Sequence, residues 1–211
     1  TSEESGRRAL PRHAVNCGVT EQLLLSDEVA RSDGSGTVAA QRFLAASPVG
    51  GRLGLAEEFG RCEMTGAMVL ADELVFSEVS HRRYRRDEPA CSSVANAVGH
   101  ISEFVRCALT EQTLLPAEAG KSDVSGRIVR RDLLVRSQLP PGRWGTADEM
   151  RVCVASNLAL LSDEVGISAA SGKLVDLGLM TASGRSGRLA MPAELLTCDQ
   201  TGLKLLPQEA G

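Results

Sequence analysis

Aromatic side chains are scarce in this chain: four Phe, one Tyr and one Trp among 211 residues, 3% of the total. A thick core built on large rings is thereby excluded, and thin layers of small aliphatic residues are expected. Lysine is nearly absent too. Lys121, Lys173 and Lys204 are the only lysines among 23 basic residues, so almost all positive charge is arginine, which suits planar pairing with carboxylates. The net charge is −4, which offers no overall attraction to a polyphosphate. No apolar run approaches the roughly 18 residues of a membrane span and no signal-peptide pattern opens the chain, so no membrane partner is expected and a cytoplasmic location is favoured. The first residue, Thr1, already lies inside a repeat, which reads as a piece of a longer polypeptide.

Signatures of reaction chemistry are missing as well. There is no Gly-x-Ser-x-Gly elbow and no Gly-x-Gly-x-x-Gly loop. The stretch from Gly166 to Lys173 imitates a phosphate loop, but five residues separate its glycines where four are needed, and Leu174 stands in place of the Ser or Thr. His13, His81 and His100 share no ligand-like spacing with the six cysteines. No catalytic residue is assigned, and the chain is not expected to be an enzyme.

What the chain does have is a 15-residue period, marked by Ser2, Cys17, Ser32, Ser47, Cys62, Ser77, Cys91, Cys107, Ser122, Ser137, Cys153, Ser168, Ser183 and Cys198. Most marks are followed three residues later by Thr or Ser and then by Gly. A period this short and regular points to a stacked repeat. Cys17, Cys62, Cys107, Cys153 and Cys198 are spaced 45, 45, 46 and 45 apart, which groups the blocks in threes. The superrepeats run over 17–61, 62–106, 107–152 and 153–197, with partial units at 1–16 and 198–211, as one array over 1–211. The register is expected to slip by one residue around Cys91 and again after Ser137.

About ten residues separate one marked turn from the next, too few for an average helix with its connections. Two short strands joined by a tight turn fit. Pro116, Pro192, Pro207 and the Ser-Asp pairs at 26–27 and 162–163 sit where that turn belongs. A Ser/Pro-x-Glu start also suits the cap of a single helical turn.

The turns and their spacing resemble a zinc ribbon, in which two Cys-x-x-Cys-Gly knuckles flank a strand, a turn and a second strand. Eleven residues lie between Thr20 and Ser32, between Thr65 and Ser77 and between Thr110 and Ser122, and Gly36, Gly66, Gly126, Gly172, Gly187 and Gly202 follow the second ligand position. Such a glycine suits a turn with positive φ. The departure is in the ligands. Adjacent knuckles together offer about one cysteine where structural zinc needs four ligands, so the resemblance implies degenerate, metal-free zinc-ribbon repeats with no cofactor. Ser and Thr hydroxyls accepting backbone N–H groups would then close each knuckle, with single cysteines as small buried apolar residues.

Glu28, Glu58, Glu73, Glu103, Glu118, Glu149, Glu164, Glu194 and Glu209 recur at one place in the block. Nine copies cannot be nine active sites. Each is expected to accept N–H groups of a neighbouring turn or to pair with an arginine such as Arg31, Arg61 or Arg106. Cys91, outside the 45-residue series, reads as a displaced knuckle residue rather than a nucleophile.

The sharpest local feature is Arg82, Arg83, Tyr84, Arg85 and Arg86, with Arg130 and Arg131 one superrepeat later. These residues could track phosphates while the tyrosine stacks on a base, or they could form a solvated face beside Asp87 and Glu88. Together the observations predict an all-β, elongated tandem array of 15-residue zinc-ribbon-like β-hairpin units. The expected role is a non-enzymatic repeat scaffold or protein-protein interaction module within a larger protein. The alternative is a nucleic-acid-binding appendage that uses the 82–86 cluster.

Overall fold

Outside the longer loop that begins at Ser137, a knuckle is a reversal closed by two backbone bonds. At Cys17 the N–H donates to the Gln22 carbonyl at 2.9 Å and its carbonyl accepts from Glu21 N–H at 2.8 Å, and the same pair recurs at Ser32, Cys62, Ser77, Ser122 and Ser168. The geometry puts the fifth residue at positive φ. Glycine fills that place in most blocks, as at Gly36 (76°), Gly66 (78°) and Gly126 (72°), while Glu21, His81, Asn96, Glu111 and Asn157 hold the same conformation at 56–59° with a side chain attached. An L residue there carries a cost of about 1–2 kcal/mol, which is why the sequence favours glycine.

A computed structural model describes residues 1–8 and 10–210. The chain forms two units, Thr1–Phe104 and Val105–Gly211, each a succession of the same motif. Among the described residues there is no α-helix, and 26 strands of two or three residues form 13 antiparallel two-stranded hairpins. The fold is all-β and repeats every 15 residues.

The strand pairing differs from the arrangement read from the sequence. Strands Leu23–Leu25 and Val29–Arg31 do flank the Ser-Asp turn at 26–27, but they do not pair with each other. Leu23–Leu25 pairs backwards across the knuckle with Ala14–Asn16, and Val29–Arg31 pairs forwards across the next knuckle with Val38–Ala40. The knuckle is thus the hairpin loop, and the Pro or Ser-Asp turn is the corner between hairpins. The physical reason is register: the knuckle's positive φ folds the chain straight back, whereas the corner is a three-residue turn that redirects it. Several corners are single 3-10 turns ending on the recurrent Glu, such as Ala56–Glu58, Ala71–Glu73 and Pro207–Glu209.

The register slip expected at Cys91 does not occur. Ser92 is the knuckle residue, fully buried, with its N–H bonded to the Ala97 carbonyl at 3.0 Å. Cys91 is the last residue of strand Pro89–Cys91 and is exposed. Ser77, Ser92 and Cys107 are therefore evenly spaced, and the adjacent Cys-Ser pair disguised it. The later slip is real: the loop after Ser137 holds one extra residue and the Pro140–Pro141 cis bond.

A two-stranded hairpin of this length is marginal in water, so its stability must come from neighbours. Consecutive hairpins are stitched in most blocks by a long-range bond from the residue after the knuckle start, Pro48 having no N–H to give. Gly18 N–H reaches the Val38 carbonyl at 2.7 Å, Asp33 reaches Leu53 at 2.7 Å and Val154 reaches Leu174 at 2.9 Å. Where that residue is acidic or an amide, its side chain returns the bond: Leu53 N–H donates to Asp33, Val98 to Glu78, Trp144 to Asp123 and Ala159 to Gln138, all at 2.7 Å.

The core is a thin ladder running along the middle residue of each second strand. In the first unit it passes through Leu24, Ala39, Val69 and Tyr84, and in the second through Leu114, Val129, Leu160, Val175 and Ala190, all at most 2% exposed. Small residues take their turn because neighbours overlap: a Cβ at Gly145 would meet Leu161 Cδ2 at 2.3 Å. Scarce aromatics follow from this geometry, since a rung has room for one large side chain beside a small one.

Candidate functional site

Each knuckle side chain points inward, and its partner lies two turns later. In the first unit the hydroxyls of Ser2, Ser32, Ser47 and Ser77 donate to Glu28, Glu58, Glu73 and Glu103, 26 residues on. In the second unit Ser122, Ser137, Ser168 and Ser183 donate to Glu149, Glu164, Glu194 and Glu209. The same carboxylate oxygen accepts the N–H at the corner entrance, from Leu25 at 2.9 Å and Leu55 at 2.8 Å, for example. The hydroxyl oxygen in turn accepts amides inside its own knuckle, as from Gly34 at 3.0 Å and Val124 at 3.1 Å. The expected hydroxyl-to-amide closure is present, and the Glu adds a link between blocks that spacing alone did not reveal. Glu118 caps its corner in the same way, accepting Leu115 N–H at 2.8 Å.

The cysteines solve the same problem without a carboxylate. Cys107 accepts Arg130 N–H and Cys153 accepts Asp176 N–H, both at 3.4 Å and 23 residues on, where a Ser block sends that amide to Glu. Counting 26 residues from Cys17, Cys107 and Cys153 arrives at Phe43, Leu133 and Leu179, so no carboxylate faces these thiols. Cys62 is the exception, because the equivalent residue is Glu88, which turns to Arg85 at 3.6 Å and His100 at 3.1 Å. Serine with glutamate and cysteine with an apolar corner are thus two ways of satisfying one buried amide. Cys17, Cys62, Cys107 and Cys153 are at most 1% exposed. Burial pushes the Cys17 thiol up, but hydrogen bonds from Thr20, Val19 and Ala40 outweigh it and bring it down to about 7. Cys107 comes down to about 7 in the same way, with Thr110 as the leading donor.

The arginines that approach the recurrent Glu residues are not Arg31, Arg61 or Arg106. Arg7, Arg52, Arg127 and Arg143, each at the end of a knuckle, span the Asp-Glu pairs at the corners, with Asp27, Asp72, Asp148 and Asp163 at 2.7–2.9 Å. Arg106 pairs with Glu111 instead. The expected residue class was legible, but the partner was not.

These contacts set an acid sensitivity. The Ser2 and Ser5 hydroxyls and Leu25 N–H hold the Glu28 carboxyl down at about 2, and the Ser32 and Ser35 hydroxyls do the same for Glu58, against an ordinary 4.5. Glu194 and Glu209 are lowered too, chiefly by Ser168 and Ser183. Because the folded state holds its protons less tightly, the unfolded chain binds more protons between the two values. The stabilisation is therefore complete above about pH 4.5 and lost as pH falls towards 2. We expect a thermal midpoint that is level from pH 7 to 5 and falls steeply below 4.5. A midpoint unchanged down to pH 3 would refute the corner assignment.

The basic cluster is dismantled by the fold. Tyr84 is 2% exposed, edge-on to His100 with ring centroids 5.8 Å apart, and offers no face for a base. Arg85 is clamped by Asp87 at 2.6 Å, Arg130 by Asp132 at 2.6 Å, and Arg83 lies 3.5 Å from Glu63. Arg82, Arg86 and Arg131 are exposed and form no ion pair among the described residues. His81 occupies a knuckle's positive-φ position (59°). Among the described residues no group of three His, Cys, Asp or Glu is placed to hold a metal ion.

What faces outward is a different set. The last residue of each first strand and the first residue of each second strand form a cross-strand pair beside the knuckle. Phe76 pairs with Arg83 and Arg61 with Met68 in the first unit, and Lys121 pairs with Ile128 and Arg136 with Trp144 in the second. Phe76 and Ile167 are each 69% exposed. Cationic and apolar groups thus stand side by side at these exposed positions. Sequence reading missed this row because a strand's inward and outward residues separate only once the hairpin register is known. No known protein family, curated protein or solved structure matches the chain.

Proposed function

We propose that the chain is a non-enzymatic repeat scaffold or protein-protein interaction module, built on degenerate zinc-ribbon-like hairpins closed by hydroxyls and thiols instead of metal. One observation supports this above others: the recurrent Glu residues and the buried cysteines are engaged in internal corner contacts, while the variable, outward pairs expose apolar and cationic groups in repeated positions. Repeats that present such a surface along a stack suit extended binding of another protein.

The test is a comparison of the chain with Phe76→Glu and Ile167→Glu, one outward position in each unit. Both positions are exposed, so stability should change by no more than about 0.5 kcal/mol. The chain, purified with less than one zinc per molecule, retains partner proteins on a column after nuclease treatment, and each variant loses them. Retention unaffected by both variants would end this reading. The alternative, a nucleic-acid-binding appendage, draws support from the exposed Arg82, Arg86 and Arg131, which form no ion pair among the described residues. It requires retention that nuclease removes, and a salt-dependent oligonucleotide complex lost on changing Arg82 and Arg86 to alanine.

A further inference from the structure

Hairpins Ala119–Arg130 and Leu134–Thr146 in the second unit enclose a depression of about 370 Å³, lined by Gly120, Lys121, Arg131, Leu134 and Trp144. Its floor exists because residue 120 has no side chain: a Cβ there would meet Leu134 Cδ1 at 2.5 Å. Leu134 is packed on the inner cluster around Cys107, so the floor is held from beneath. Trp144 forms a wall and is 46% exposed, an unusual place for the chain's only tryptophan. The Arg136 guanidinium lies 6.0 Å from the centre of its ring and fixes one side of it.

The rim is cationic and unsatisfied. Neighbouring Arg127, Arg130 and Arg143 are each taken up by Asp148, Asp132 and Asp163. Lys121 and Arg131, which flank the depression, form no ion pair among the described residues, although the chain as a whole carries an excess of acidic groups. Two free cations beside an apolar hollow large enough for one big side chain call for a ligand with carboxylates next to such a side chain.

We propose that this depression is a docking site for an acidic peptide segment, which seats one aromatic or leucyl side chain between Leu134 and Trp144 and sets flanking carboxylates against Lys121 and Arg131. The proposal rests on the reading of the chain as a protein interaction module and names the partner chemistry of one of its sites. A single hollow buries much less than the roughly 1,200 Å² of a stable interface, so affinity is micromolar and other outward pairs add to it in the assembled partner.

Trp144 reports on the site directly. Titration of the intact chain with an end-blocked Glu-Asp-Phe-Asp-Glu peptide gives a saturable change in tryptophan fluorescence. Raising salt from 50 to 500 mM weakens it several-fold, because the rim charges are exposed. Lys121→Glu and Arg131→Glu, surface changes that break no ion pair or side-chain hydrogen bond among the described residues and leave the thermal midpoint in place, each weaken the complex about tenfold or more. Peptides with Lys for the acids, or Ala for Phe, give no saturable change. The proposal is overturned if the acidic peptide produces no saturable signal, if the two charge reversals bind it as the parent does, or if single-stranded oligonucleotide binds there more tightly than peptide. Should the peptide fail while Phe76→Glu still abolishes partner retention, the docking site falls and the interaction-module reading stands.

Discussion

Replacing Glu73 by alanine will destabilise the protein by about 3 kcal/mol, among the largest effects of any single polar substitution in the chain. Glu73 is 6% exposed. It receives the Ser47 hydroxyl and Leu70 N–H at 3.2 Å on one oxygen, and the other oxygen lies 3.5 Å from Arg52. Truncation strands a buried hydroxyl and a buried amide, each costing about 1–3 kcal/mol when left without an acceptor, and removes the more distant of the two carboxylates beside the Arg52 guanidinium. Glu73→Gln should cost less, since one amide oxygen still accepts, but its NH2 group then faces Arg52. The exposed Glu57 of the preceding corner, whose side chain forms no hydrogen bond or ion pair among the described residues, serves as control: Glu57→Ala should lie within about 0.5 kcal/mol of the parent. Urea denaturation read by circular dichroism makes the comparison. Equal midpoints for Glu73→Ala and Glu57→Ala would mean that the carboxylate link between blocks carries no weight.

The second large effect is a coupling. Cys107 is 1% exposed and accepts Arg130 N–H through its sulfur, with Leu133 where a serine block carries Glu. Cys107→Ser shortens the acceptor and introduces a hydroxyl hydrogen with nothing to receive it, at a cost of about 1–3 kcal/mol. Leu133→Glu alone trades packing against the Cys107 cluster for a carboxylate whose natural donor is missing, at a cost of about 2–3 kcal/mol. Together the two changes rebuild the contact seen between Ser122 and Glu149, where the hydroxyl donates at 2.6 Å and Thr146 N–H joins at 2.8 Å. The double variant should therefore be more stable than the sum of the single losses by about 1–3 kcal/mol. Strict additivity in denaturant titrations would show that serine with glutamate and cysteine with an apolar corner are not alternative solutions to one buried amide.

The same two corner types account for the 45-residue superperiod. A cysteine in one block removes the need for Glu in the corner of the next block, while the other two blocks of each triplet keep Ser and Glu. At Cys17, Cys107 and Cys153 the pattern of cysteines and the pattern of glutamates are therefore one pattern seen at two places in the chain, while Cys62 departs from it by keeping Glu88. That relation is present in the sequence as two separate regularities, and each of the nine recurrent glutamates does accept an N–H group, donated within its own corner from three residues back. Their hydroxyl donors were out of reach, because nothing local connects Ser47 to a residue 26 positions later.

Residues 1–211 by themselves determined the features that depend on a few neighbouring positions: an all-β repeat of 15, a turn with positive φ at its fifth place, small apolar rungs, and knuckle closure by hydroxyls. These are local because φ preference, turn chemistry and strand length act over a handful of residues. Only the tertiary structure decided which strands pair, that Ser92 rather than Cys91 enters the knuckle, that Tyr84 is a core rung, and which cations remain free at the surface. Each of those outcomes depends on how one hairpin lies against the next, and stacking energy between blocks, distributed over bonds about 20 to 27 residues apart, leaves no mark within any single block.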